Sequence, residues 1–180
     1  IAAFNAVNRI DDYAFTPEQS ISHGITTFVA QNRGAGKTER IRKGFCHGLR
    51  LEFLYWVCIG LIITLFKKPL MGLFVTAGNE GIVKLGSSYL ALMAVFYIFP
   101  AFTNGIQGFF RGIGDLKITL ISSFINMALR VLAAAPLVFI WKMGIEALPY
   151  SYLAGWIGML VAETPLLLKT YKTWGKKAGQ

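Results

Sequence analysis

Charge is the scarcest thing in this chain. Asp, Glu, Lys and Arg together make up 15% of its 180 residues, against about 25% in a soluble domain whose surface must face water. That shortage excludes an ordinary soluble globule, and the hydrophobic content excludes disorder. Cysteine and histidine occur twice each, too few for a zinc cluster, so no metal site is expected. Cys46 and Cys58 lie twelve residues apart on one expected helix, about 18 Å by rise, beyond disulfide reach. Cys46 and His47 are adjacent, and adjacent side chains diverge on a helix. No nucleophile and base stand at a recognisable spacing, so no enzyme and no cofactor are expected. The chain opens Ile1-Ala2-Ala3-Phe4 without a Met or a basic leader, and it reads as a fragment.

What is present is apolar. Hydrophobic residues reach 54% and the mean hydropathy is +0.52. This predicts an all-α, polytopic membrane protein with the bilayer as its main solvent. Five segments are expected to span: 1–31, 45–66, 85–110, 118–141 and 148–168. The third carries no charge, the fourth only Arg130, the fifth only Glu163. The second begins with Arg50 and Glu52 near its start. The first carries Arg9, Asp11, Asp12 and Glu18 and is predicted from its pattern, not its hydropathy. Pro17, Pro100, Pro136 and Pro165 are expected to kink four of the five.

The basic residues orient the spans. Loop 32–44 with Arg50, the 111–117 turn and the 169–180 tail hold Arg33, Lys37, Arg40, Arg42, Lys43, Arg111, Lys117, Lys169, Lys172, Lys176 and Lys177. The opposite side holds Lys67, Lys68, Lys84 and Lys142. The positive-inside rule places the first group, and the C-terminus, in the cytoplasm. A nucleic-acid patch would interleave these cations with aromatics; they sit between spans instead, so no nucleic-acid partner is expected.

The first segment is the most informative. Asn5, Asn8, Asp12, Thr16, Gln19, His23 and Thr26 recur at steps of three and four, one face of an α-helix. Such a stripe cannot face lipid and is expected to line a bundle interior or a wet cavity. A buried carboxylate there can exchange a proton or hold Na⁺ beside amide and hydroxyl oxygens. Asp12, with Asp11 beside it, is therefore the ion-coupling candidate, and Asn5, Asn8, Thr16, Gln19 and His23 are cavity-lining candidates. Two structural readings stand beside this one: Arg9 three residues before Asp12 neutralises it, or Asp11 is simply hydrated near an interface. Glu18 follows Pro17 and lies off the stripe. Arg130 needs an intramembrane partner, and Glu163 on the next helix is the acidic candidate.

Gly34-Ala35-Gly36-Lys37-Thr38 looks like the end of a phosphate-binding loop. The full motif needs a glycine at position 31, which is Gln31, and a preceding strand. Nucleotide binding is not expected.

Two stretches carry a family resemblance. Asn5-Ala6-Val7-Asn8-Arg9-Ile10, then Pro17, then Phe28-Val29-Ala30-Gln31-Asn32-Arg33-Gly34-Ala35-Gly36-Lys37 resembles one span and loop of the multidrug and toxic compound extrusion (MATE) transporters. Gly108-Phe109-Phe110-Arg111-Gly112-Ile113-Gly114-Asp115-Leu116-Lys117 resembles a later turn of the same family. The resemblance implies twelve spans in two lobes, with this chain as spans eight to twelve and an N-terminal lobe as its partner. It implies export of organic, often cationic, compounds across the cytoplasmic membrane in exchange for Na⁺ or H⁺. Some members use an acidic residue on span ten; segment 85–110 has none, so that role has no residue here. A lipid-linked saccharide flippase and a membrane-embedded enzyme are the alternatives. The first would want a more cationic cavity than Arg9 and Arg130 supply, the second a catalytic cluster near the interface.

Overall fold

The computed structural model describes residues 2–74, 80–144 and 146–177. Among these residues there are six helices and no strand: α1 Ala2–Gly34, α2 Thr38–Gly72, α3 Glu80–Phe96, α4 Ile98–Gly112, α5 Leu116–Phe139 and α6 Ala147–Lys177. Helices α2, α5 and α6 are each long and apolar enough to cross a bilayer, and α3 with α4 are so only when taken together, as a pair bent by 44°. Helix α1 has the length, 33 residues or about 50 Å at 1.5 Å per residue. Its charged residues keep it below the hydropathy of a lipid-facing span.

The single helix expected over 85–110 is two. Pro100 has no N–H with which to bond the Phe96 carbonyl, and the helix breaks at Tyr97, three residues earlier. Across the break Tyr97 donates to Met93 O at 2.9 Å and Ala101 to Tyr97 O at 3.1 Å. At Pro17, Pro136 and Pro165, by contrast, the chain stays helical through the proline. Helix α2 also runs past its expected end to Gly72, through Pro69. Met71 is fully buried there, and a Cβ on Gly86 of α3 would meet its Sδ at 2.8 Å; that packing holds the extra turn.

Two glycine-ended turns close one end of the bundle. After α1, Gly36 has φ +67, Gly36 N–H donates to Arg33 O at 3.0 Å and Lys37 N–H to Asn32 O at 2.9 Å. After α4, Gly114 has φ +76, Gly114 N–H donates to Arg111 O at 3.0 Å and Asp115 N–H to Phe110 O at 2.9 Å. Both are Schellman caps, in which a left-handed glycine satisfies orphan helix carbonyls. The two turns touch, because the Arg33 guanidinium donates to Ile113 O. The phosphate-loop lookalike thus has a plain explanation: the N–H groups of Gly36 and Lys37 are consumed by the cap.

The interior has two apolar cores. One joins Val7, Ile10 and Ala14 of α1 to Ile63, Met71, Leu90, Met93 and Tyr97. The other, toward the capped end, joins Ile25 and Val29 to Ile41, Phe45, Ile106, Phe109 and Phe110. Glu18 and Ser22 of α1 lie between them along the helix, and both are buried.

Candidate functional site

Helix α1 decides the site because both its faces carry polar residues. Val7, Asp11, Ala14, Glu18, Ser22, Ile25 and Val29 are buried, the i, i+3, i+4 set that packs on α4, α2 and α3. Helix α4 comes close because Gly108 and Gly112 lack side chains. A Cβ on Gly108 would stand 2.6 Å from Ser22 O, and one on Gly112 would stand 2.6 Å from the Val29 Cβ.

The expected stripe is on the other face. Asn5, Asp12, Thr16, Gln19 and His23 are exposed on this lobe, with Asn8 and Thr26 half-buried. Thr16 donates to Asp12 O at 2.8 Å and Thr26 to Ser22 O at 3.0 Å, so these two hydroxyls are spent on their own helix. Adjacent on the helix, Asp11 and Asp12 part company. Asp12 points out; Asp11 is buried and accepts from the Tyr97 hydroxyl.

Charge pairing differs from expectation. Among the described residues the one ion pair is Arg42–Glu39, 3.1 Å, on the surface; Arg9 does not pair with Asp12. Nor does Arg130 reach Glu163. Its guanidinium lies over the Tyr152 ring, 3.8 Å from the centroid, and a Cβ on Gly155 would meet its Cγ at 2.7 Å. Arg130 is thus level with residues 152–155 of α6, and Glu163 is a further eight residues along, about 12 Å by rise. Glu163 is fully buried and accepts from Gln107 Nε2 at 3.2 Å. The cation acting on it is Arg111.

Several buried polar residues were not anticipated. Glu18, 3% exposed, accepts from Asn104 Nδ2 at 2.5 Å. Ser22 donates to Asn104 O and accepts from Arg111 Nη2 at 2.7 Å. Tyr55 donates to Ala14 O at 2.7 Å. Glu52 is wholly buried, and neither of its carboxylate oxygens has a hydrogen-bond partner among the described residues. A signal for Glu18 existed: Asp11, Glu18 and Ile25 recur every seven residues, the period of one helix face. For Glu52 none did, since it stands at the N-terminal edge of an apolar run.

The exterior of α5 is lipid-like. On α5, Leu120, Phe124, Met127, Val131 and Leu132 are all exposed, and the one fully buried side chain is Ser122. Apolar outward-facing helices with polar groups inside and one polar outer face define part of a polytopic helical membrane protein. The comparisons name it further. A family model described as MatE matches residues 1–135, and the chain belongs to the MATE family of multidrug efflux transporters. It is 27% identical over 176 residues to a probable multidrug resistance protein NorM of Thermotoga maritima, covering 94% of this chain and 36% of that protein. It is 26% identical over 183 residues to the probable multidrug resistance protein YoeA of Bacillus subtilis, covering 98% and 37%. The chain therefore spans little more than a third of the length of these relatives. A MATE family transporter solved in an inward-facing conformation superposes with TM-score 0.85 at 19% identity, over 97% of this chain and 40% of that one. An outward-facing one gives 0.87 at 18%, over 97% and 39%.

Proposed function

We propose that the full-length protein is an antiporter of the cytoplasmic membrane that exports organic compounds, cationic ones among them, in exchange for Na⁺ or H⁺ by alternating access. The observation that carries this reading is the outer face of α1, a polar stripe on a lobe that elsewhere turns an apolar helix face such as that of α5 outward. Lipid would penalise that face, so it belongs against water and the second lobe. Asn5, Asn8, Thr16, Gln19 and His23 then form one wall of the substrate path, and Asp12 is the carboxylate the coupling ion meets there. The loop after α1, the turn after α4 and the C-terminus lie in the cytoplasm, in keeping with their Lys and Arg content; the Arg33–Ile113 contact puts both turns at one end of the bundle. Superposition on both inward- and outward-facing structures fits a lobe that moves as one body.

The test is efflux of a fluorescent cation from vesicles holding the full-length protein, under an imposed Na⁺ gradient or an imposed pH gradient. One gradient should drive efflux and the other should not. Asp12→Asn should lower ion-driven efflux about tenfold or more, worth about 1.4 kcal/mol of lost coupling, while still reaching the membrane. Efflux indifferent to both gradients would remove the antiport reading.

A further inference from the structure

We infer that the outward ridge of α2 is a docking site for an anionic phospholipid, its phosphate held by Lys43, His47 and Arg50 and an acyl chain laid along Leu54, Leu61 and Leu65. Residues 43, 47, 50, 54, 58, 61 and 65 recur at steps of three and four, one face of a helix. All of them are exposed. The chemistry of this face changes once, between Arg50 and Leu54. Lys43 to Arg50 is about 10 Å by rise, and Leu54 to Leu65 about 16 Å. The second length is close to half of the roughly 30 Å hydrocarbon core, the depth of one acyl layer. The ridge therefore has the order and the length of a phospholipid, headgroup first and chain after.

Two grooves flank the ridge. The one toward α6, about 440 Å³, is lined by Lys43, Cys46, His47 and Arg50 of α2 and by Tyr171. Glu39 and Arg42 line it too. The Glu39 carboxylate sits 3.1 Å from Arg42 Nη1, so its repulsion of a phosphate is offset, and the Arg42 guanidinium lies 5.7 Å from the centre of the Tyr171 ring. The groove toward α1, about 380 Å³, is lined by Arg40, Lys43, Gly44 and His47 with Phe28 of α1. Each groove thus sets cations beside an aromatic wall, and Lys43 and His47 border both.

Charge complementarity selects the occupant. With Glu39 and Arg42 offsetting each other, Arg40, Lys43 and Arg50 leave this end of α2 positive. Basic side chains at the membrane surface attract anionic headgroups, and the arginine fork offers paired N–H donors to phosphate oxygens. The His47 ring adds an N–H donor between them. A second lobe is the less fitting occupant. The outer face of α1 stays polar from Asn5 to Thr26, as a surface against water or protein can. The α2 ridge turns from basic to apolar within one helical turn, as a boundary between headgroups and hydrocarbon requires.

The experiment titrates the purified full-length protein in detergent with phosphatidylglycerol or phosphatidylcholine and counts retained lipid by native mass spectrometry. Phosphatidylglycerol should saturate a site that phosphatidylcholine fills about tenfold more weakly. Lys43→Gln combined with Arg50→Gln should weaken phosphatidylglycerol binding about tenfold or more and leave phosphatidylcholine unchanged. Lys84→Gln combined with Lys142→Gln removes as much charge from exposed positions elsewhere and should leave both lipids unchanged. Should the Lys43 and Arg50 double variant fail to fold, Lys43→Gln alone should weaken phosphatidylglycerol binding severalfold. Millimolar inorganic phosphate should not displace the lipid, because it lacks the chain that Leu54, Leu61 and Leu65 hold. The site is overturned if the two lipids bind alike, or if the Lys43 and Arg50 variants bind phosphatidylglycerol as wild type does. Displacement by inorganic phosphate overturns it too, leaving a free-anion site in its place. Every one of these results is independent of ion-driven efflux, so the lipid site and the antiport reading fail separately.

Discussion

Helices α1 and α5 both lie at the edge of the lobe, and they show the outside opposite chemistry. Helix α5 turns Leu120, Phe124, Met127 and Val131 outward and buries Ser122, whose hydroxyl donates to Ile118 O. Helix α1 turns Asp12, Thr16, Gln19 and His23 outward. Their inner sides differ as well. Helix α5 meets α6 at Gly155, where Arg130 fits, while α1 meets α4 at Gly108 and Gly112 across a line of hydrogen-bonded polar groups. Exposure in the isolated lobe therefore has two meanings. On the function proposed above, for α5 it means lipid, and for α1 a wet surface that another part of the protein faces.

The largest effect should come from moving charge between these two exteriors. Phe124 is 72% exposed. Phe124→Lys places an ammonium in hydrocarbon, costing about 3 kcal/mol on insertion scales, and should sharply reduce membrane integration. Gln19→Lys, the same charge on the α1 face, should integrate like wild type. Membrane-fraction yield of the two variants decides it: equal yields erase the distinction between the helices.

Next in size is the α1–α4 contact. Gly112→Leu adds a side chain where even a Cβ would stand 2.6 Å from Val29 Cβ and 2.8 Å from Thr26 O. Overpacking of this kind costs about 1–3 kcal/mol. Because backbone lies on the clashing side, little relaxation is available, and the upper half of that range is expected. Thermal unfolding of the full-length protein in detergent should shift down by several degrees. An unchanged transition would mean that α1 is free to move off α4.

Much of this contrast was legible beforehand. The spacing of Asn5, Asp12, Thr16, Gln19 and His23 marked a polar helix face, and the apolar content of the fourth segment marked lipid. What periodicity cannot settle is which face a helix turns to its neighbours. That was decided by Gly108 and Gly112 on a helix some ninety residues away, so Asp11 and Glu18 went in and Asp12 stayed out. The break at Tyr97 follows from Pro100, yet Pro17, Pro136 and Pro165 carry the same local signal without interrupting their helices. Both turns shared Arg-Gly-x-Gly, at 33–36 and 111–114. Read together, they announce matching helix caps; read singly, the first resembled a phosphate loop.

The smallest effect tests the inner side of α5. Arg130 lies over Tyr152 and not against Glu163. A cation over an aromatic face is worth about 0.5–2 kcal/mol, more when desolvated. A double-mutant cycle with Arg130→Met and Tyr152→Leu, read by thermal unfolding, should give a coupling near 1 kcal/mol. The matching cycle of Arg130→Met with Glu163→Gln should give coupling within a few tenths of zero, since separated sites add. Coupling to Glu163 as large as that to Tyr152 would mean that α5 and α6 slide by about two turns in the full-length protein. The inner face of α5 would then be as polar as that of α1, and the two helices would differ only in what surrounds them.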